Sequence, residues 1–185
     1  MIDDLLQDAR EHMDKSVDAT RQKFGSVRTG RASPSLLDRI NVDYYGAQTS
    51  LRQLATINAP EARLLTVQPY DKTSIKAIER AIMESDLGLT PGNDGSLIRL
   101  TIPELTEERR KQLVKVVRGI TEEGKVALRN IRRDVMHDLK ELKEAGEAGA
   151  DDEHRAEEAL QKLTNEKVAE LDGLLKSKEA EITEV

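Results

Sequence analysis

The chain contains no cysteine, which removes disulfides, thiolate metal sites and thiol nucleophiles from consideration. Aromatic residues are nearly as scarce, at 2%: Phe24, Tyr44, Tyr45 and Tyr70 are all of them. A core must therefore be built from Leu, Ile, Val, Ala and Met, and single-stranded bases would find no stacking platform. Histidine is confined to His12, His137 and His154, and no two of them stand four residues apart as a helical zinc pair requires. They read as solvated surface residues. Long apolar runs are missing too: no uncharged stretch exceeds eight residues, against the roughly 20 needed to span a bilayer. The first residues, Met1-Ile2-Asp3-Asp4, are acidic where a signal peptide is basic. A soluble, cytoplasmic protein without membrane contact is the expectation.

What is present is charge, and it is segregated. Charged residues make up 35% of the 185, with a net charge of −6. Between Arg109 and Arg133 nine basic residues face only Glu122 and Glu123, for a local charge of +7. From Asp134 to Val185 seven basic residues face 16 acidic ones, for −9. Such asymmetry points to an anionic partner for the basic segment.

Periodicity sets the organisation. Ile2, Leu5, Leu6, Ala9, Met13, Val17, Thr20, Phe24 and Val27 recur at spacings of three and four, which predicts a helix closing near Thr29-Gly30. The period then changes. Ile40, Val42 and Tyr44 alternate up to Gly46, and Arg63 to Gln68 is a compact apolar stretch stopped by Pro69. Ser74 to Leu87 reads as a helix stopped by Gly88; Asn93-Asp94-Gly95 is a turn before alternating Ile98, Leu100 and Ile102. From Thr106, a plausible N-cap, the helical period returns through Leu113, Val117, Ile120, Gly124, Leu128, Ile131, Val135, Leu139 and Leu142. After a loop at Ala145–Ala150, Asp151 or Asp152 is placed to cap a third helix carrying Ala156, Leu160, Leu163, Leu171, Leu174 and Ile182. Single stripes of this length cannot bury themselves, so three of them form an antiparallel bundle most economically. The fold class is α+β: a long three-helix bundle from residues 1–30 and 105–185, discontinuous in sequence, with a small α/β domain at 31–104 inserted through a two-stranded hinge. The hinge residues are Thr29, Gly30, Arg31, Ala32, Ser33, Glu104 and Leu105.

The basic residues of the middle helix share one side. With Arg118 at zero and about 100° per residue, Lys111 and Arg129 fall near +20°, Lys125 and Lys143 near −20°, Arg132 near −40°, Lys140 near +40°, and Lys115 and Arg133 near +60°. The apolar stripe centres near −115°, so the cations fill an arc of about 100° running roughly 48 Å along the helix. A solvated face of mixed ion pairs is the plainer reading of most charge runs, yet this arc is nearly all of one sign. The acidic third helix could neutralise it internally. Guanidinium forks in a row on a rigid helix suit phosphates along structured RNA, where shape is read more than sequence.

Gly119-Ile-Thr-Glu-Glu-Gly124-Lys125-Val126 nearly spells a phosphate-binding loop. Val126 replaces the hydroxyl that would hold magnesium, and the segment lies within a helical stripe rather than after a strand. Gly124 is better explained by close helix packing; Gly119 lies off the core stripe and has no such account. Neither a catalytic residue set nor a metal cluster stands out, so no enzyme, cofactor or metal is expected.

Six blocks then carry a resemblance: Val27-Arg-Thr-Gly-Arg-Ala-Ser-Pro34, Tyr44-Tyr-Gly46, Ser85-Asp-Leu-Gly-Leu89, Asn93-Asp-Gly95, Leu105-Thr-Glu-Glu-Arg-Arg-Lys111 and Val126-Ala-Leu-Arg-Asn-Ile-Arg-Arg133. In these, in their order and in length, the chain resembles the ribosome-recycling factor family. The resemblance implies a factor that binds the post-termination ribosome and, with elongation factor G and GTP, splits it into subunits, freeing mRNA and tRNA. It implies large-subunit ribosomal RNA and elongation factor G as partners, no DNA, and action as a monomer. It places the family's RNA-contacting arginines on Arg28, Arg31, Arg110, Arg129, Arg132 and Arg133. With the helical arc, which adds Lys111, Arg118 and Lys125, these are the candidate RNA-binding residues. A helical adaptor whose stripe meets an acidic protein is the competing reading, and an enzyme the third.

Overall fold

The computed structural model describes residues 1–184. In chain order it contains α1 (Ile2–Gly25), β1 (Asn41–Tyr44), β2 (Ala47–Ser50), the single turn α2 (Leu51–Leu54), β3 (Ala55–Glu61), β4 (Leu64–Pro69), α3 (Ile75–Glu84), β5 (Pro91–Asn93), β6 (Ile98–Thr101), α4 (Glu107–Glu144) and α5 (Ala150–Thr183). Short 3₁₀ turns occupy Pro34–Leu37 and Lys72–Ser74. The chain divides into two compact units, Met1–Arg28 with Glu107–Glu184, and Thr29–Thr106. The α+β class read from the sequence is the one found.

The first unit is built from α1, α4 and α5. Ala9, Met13 and Val17 of α1 meet Leu128, Val135 and Leu139 of α4 and Ala156, Leu160, Leu163 and Leu171 of α5. Three buried threonines join that core, each satisfying its hydroxyl on the carbonyl four residues back: Thr20 on Ser16, Thr121 on Val117 and Thr164 on Leu160. Gly124 lies where a Cβ would stand 2.6 Å from the Thr20 hydroxyl and 3.1 Å from a Leu171 methyl. Close packing is therefore the reason for that glycine, whereas a Cβ on Gly119 would meet nothing within 4 Å.

Helix ends differ from the sequence expectation in three places. α1 stops at Gly25, short of Thr29-Gly30, because Ser26 closes it: its backbone N–H and its hydroxyl both donate to the Lys23 carbonyl, at 3.2 and 2.7 Å. α3 stops at Glu84, before Gly88, because the Ser85 hydroxyl takes the Ile82 carbonyl. α5 begins at Ala150 with Gly149 at its N-cap and no side-chain cap, so Asp151 and Asp152 act from within the first turn, where the helix dipole favours anions.

The second unit holds a two-stranded hairpin, β1–β2, and a four-stranded antiparallel sheet in the order β3-β4-β6-β5. The β1–β2 turn is the pair Tyr45-Gly46, with φ of 50° and 82°. Two consecutive positive φ values match the right-handed twist of flanking strands, and glycine supplies one of them without strain. Leu37, Val42, Leu51, Leu65, Val67, Ile78, Ile82, Ile98 and Leu100 are fully buried and form its core with α3. β2, β3 and β5 are strands that the alternation of apolar residues did not reveal.

Candidate nucleic-acid interface

The 38 residues of α4 form one unbroken helix, so cations set on one arc of the wheel stay on one side along its length. Arg118, Arg129, Arg133 and Lys111 are exposed, while Arg110, Lys125 and Arg132 are half-buried. The segment Gly119–Val126 is helix throughout, so its amides are spent on helical hydrogen bonds rather than offered to a phosphate.

α5 runs antiparallel to α4, and its polar side chains reach across one seam. The Glu153 carboxylate meets Lys143 at 2.7 Å, the Gln161 carbonyl oxygen meets Arg132 at 3.1 Å, Asp172 meets Lys125 at 2.6 Å and Glu179 meets Arg118 at 2.6 Å. Partner numbers rise along one helix as they fall along the other, as antiparallel packing requires. Glu153 raises the Lys143 pKa through this hydrogen bond first and its charge second. The neutralisation by the third helix that the charge pattern raised is therefore real, but partial. It engages Arg118, Lys125 and Lys143, and leaves Lys125 with only 18% of its side chain exposed. The remaining cations of the arc face weaker competition. Arg129 lies 3.8 Å from Glu122, Arg133 lies 3.7 Å from its neighbour Asp134, and Lys111 pairs with Glu107 one turn away at 3.3 Å. Such exposed pairs contribute about 0–1 kcal/mol and yield readily to a phosphate.

The other candidates are distributed by unit. Arg28 is exposed at the end of the first segment of the helical unit, and Arg31 is exposed in the second unit. Of the candidate hinge residues, Thr29 is buried, the Ala32 N–H donates to the Ala62 carbonyl at 2.7 Å, and Ser33 caps the 3₁₀ turn. Glu104 approaches Arg63 at 3.9 Å, and the Leu105 side chain packs on Gly30, whose φ is +75°. The histidines are at the surface; His137 and His154 each pair with a glutamate four residues on. The residues that the sequence reading missed are those of α5. Glu153, Gln161, Asp172 and Glu179 follow one another at eight, eleven and seven residues, whole numbers of helical turns to within a fraction of a residue. That spacing would have revealed a polar face turned toward α4.

Comparison with known proteins gives a single result. A family profile described as ribosome recycling factor matches residues 20–183. The ribosome-recycling factor of Bacillus velezensis is 54% identical over 185 residues, covering 100% of both chains. That of Rubrobacter xylanophilus is 54% identical over 180 residues, covering 97% of each. A solution structure of the ribosome recycling factor, 40% identical, covers 100% of this chain and 98% of its own with a TM-score of 0.77. Another solved structure, 47% identical with a TM-score of 0.67 and 98% of each chain covered, holds the T. thermophilus ribosome recycling factor and E. coli elongation factor G bound to the E. coli post-termination complex.

Proposed function

The chain belongs to the ribosome recycling factor family and recycles ribosomes after translation termination, and from that premise we propose which side chains meet the ribosome. It binds the post-termination ribosome and acts there with elongation factor G, as its structural neighbour does. GTP hydrolysis belongs to that partner, and this chain carries out no bond chemistry of its own. It works in the cytoplasm, where ribosomes are; among the described residues no helix is long and apolar enough to cross a membrane. The exposed arc of α4 lies on the phosphates of large-subunit ribosomal RNA, with Arg129, Arg132 and Arg133 at its centre and Arg28, Arg31, Arg110 and Lys111 contributing. Arg118 and Lys125 are secondary, because α5 carboxylates already hold them. The observation that carries this reading is the persistence of one positive side along a continuous 38-residue helix.

Arg129→Ala and Arg132→Ala test it. Each is expected to weaken binding to purified ribosomes and to flatten the dependence of log affinity on log salt by about 0.7–0.9 per lost phosphate contact. Folding stability should move by no more than about 0.5 kcal/mol. Unchanged affinity and slope would discard the arc as the contact and favour an acidic protein partner instead.

The connectors form the second part of the reading. Ala32, Ser33 and Leu105 make contacts within the second unit, and Glu104 lies near Arg63 there, which favours a hinge at the bordering links Arg28–Thr29 and Thr106–Glu107. Elongation factor G uses that freedom to move one unit while the arginines stay on RNA. Energy transfer between dyes on the two units should report a broad or multiple distribution, and a cross-link across the links should spare ribosome binding but stop subunit splitting. A narrow distribution with recycling intact would end the hinge idea.

A further inference from the structure

Along the α4–α5 seam, three of the four cations named above end on carboxylates, and Arg132 ends on an amide. The chemical difference is large although the geometry is alike. A carboxylate orients a guanidinium and cancels its charge, whereas an amide oxygen orients it and leaves the charge whole. Arg132 Nη1 donates to Gln161 Oε1 at 3.1 Å, and Gln161 Nε2 donates in turn to Asn165 Oδ1 at 2.9 Å. The second bond gives the first its direction. By holding the NH₂ end of the Gln161 amide one turn away, Asn165 turns the carbonyl end toward the guanidinium; a flipped amide would present N–H to N–H. Only one of the five N–H donors of Arg132 is spent in this way, so a fork remains for two phosphate oxygens. Among the described residues Arg132 makes no ion pair that competes for it.

We propose that Gln161 and Asn165 are positioning residues that aim Arg132 at ribosomal RNA while keeping its charge uncompensated, and that the neutrality of position 161 makes Arg132 the strongest phosphate contact on the seam. This rests on the assignment of the α4 arc to RNA. A glutamate at 161 would keep the acceptor in place and convert Arg132 into a neutralised cation like Arg118 with Glu179.

The test measures affinity for purified large ribosomal subunits across a salt series for R132A, Q161E, Q161A, N165A and the double variant R132A/Q161E. All these side chains lie at or near the surface, and melting temperatures are recorded for each so that a folding defect is seen as such. Q161E should lower affinity about fivefold or more at low salt and make the salt slope shallower by about one, reproducing R132A. Q161A and N165A should lower affinity about two- to threefold with the slope unchanged, because they remove orientation and leave the charge. In the R132A background Q161E should add nothing. If R132A itself has no effect, the RNA assignment fails at this residue and the proposal falls with it. If R132A is defective and Q161E is not, the claim that a neutral position 161 preserves the charge of Arg132 is wrong; if Q161A and N165A both leave affinity unchanged, the positioning role is wrong. An equal Q161E defect with and without Arg132 would mean general repulsion, and would also overturn it.

Discussion

The two units of this molecule solve the same problem, burying enough aliphatic surface without aromatic residues, in different ways. In the helical unit each helix supplies one stripe, and Ala9, Met13, Leu128, Leu139, Leu160 and Leu171 meet at a common seam. The second unit gathers Leu37, Val42, Leu51, Leu65, Ile78, Ile98 and Leu100 from turns, strands and a single ten-residue helix. The first arrangement repeats for 24 residues in α1, 38 in α4 and 34 in α5, so its long faces stay in register and one polar side is left in a continuous row. The second changes direction every few residues and presents no such row. The proposed interface follows this difference, since a linear array of phosphate contacts needs the first architecture.

The sharpest way to test that separation is to empty each core in turn. Leu128 and Leu100 are both fully buried, and truncation of either to alanine is expected to cost about 2–5 kcal/mol. Leu128→Ala should reduce amide-exchange protection in α1, α4 and α5, and Leu100→Ala in the strands and α3. If either change opens both units equally, they do not behave as separate cores.

A smaller effect is expected at glycines, and it differs by site. Gly30 combines a φ of +75° with a Leu105 side-chain carbon 2.8 Å from where a Cβ would stand. Gly30→Ala should therefore destabilise the second unit by about 1–3 kcal/mol. Within α4, alanine should gain roughly 0.8–1.0 kcal/mol over glycine from helix propensity alone. Gly119 has open space and should show that gain as a higher melting temperature. At Gly124 the Thr20 hydroxyl and Leu171 stand in the way, and overpacking of about 1–3 kcal/mol offsets the propensity term. Gly119→Ala stabilising and Gly124→Ala not is the expected pair; the reverse would contradict the packing described for Gly124.

The legibility of the sequence divides along the same line. Long periodic stripes made the three helices and most of their core readable, since each contact face repeats every three or four residues. Thr121, Thr164 and Lys167 are buried in the same unit but were not legible, because their burial depends on a partner: the carbonyl four residues back for the threonines, and Asp14 at 2.5 Å with Glu170 at 2.9 Å for the lysine. In the second unit, β2 and β3 were invisible because Ala47-Gln-Thr-Ser50 and Ala55–Glu61 are largely exposed, and pairing with β1 and β4 defines them as strands. Of the candidate interface, the arc of cations was readable from one helix alone. Which of those cations remain available was not, since that depends on side chains of α5.

The smallest effect concerns pH. In the Asn93–Ser96 turn, the Asp94 carboxylate accepts the N–H groups of Leu97 and Ser96 at 2.9 and 3.1 Å, and the Arg99 guanidinium at 3.0 Å. These contacts, the Leu97 amide foremost, hold its pKa well below the ordinary 3.8. Asp71 is lowered too, first by the Thr73 hydroxyl. A depressed folded-state pKa means that the stabilisation is present above the unfolded value and is lost only as pH falls through the folded one. The alkaline side has the opposite sign. Lys167, raised by its bonds to Asp14 and Glu170, contributes fully below 10.5 and loses that contribution as pH rises through its elevated value. Amide chemical shifts of Ser96 and Leu97 should thus stay in their hydrogen-bonded positions as pH passes 3.8, and move only further into acid. In Asp94→Asn the acceptor remains but the charge is gone, so the same amides should show no transition tied to residue 94. A wild-type midpoint at the ordinary carboxylate value would mean that the turn does not hold Asp94 in solution.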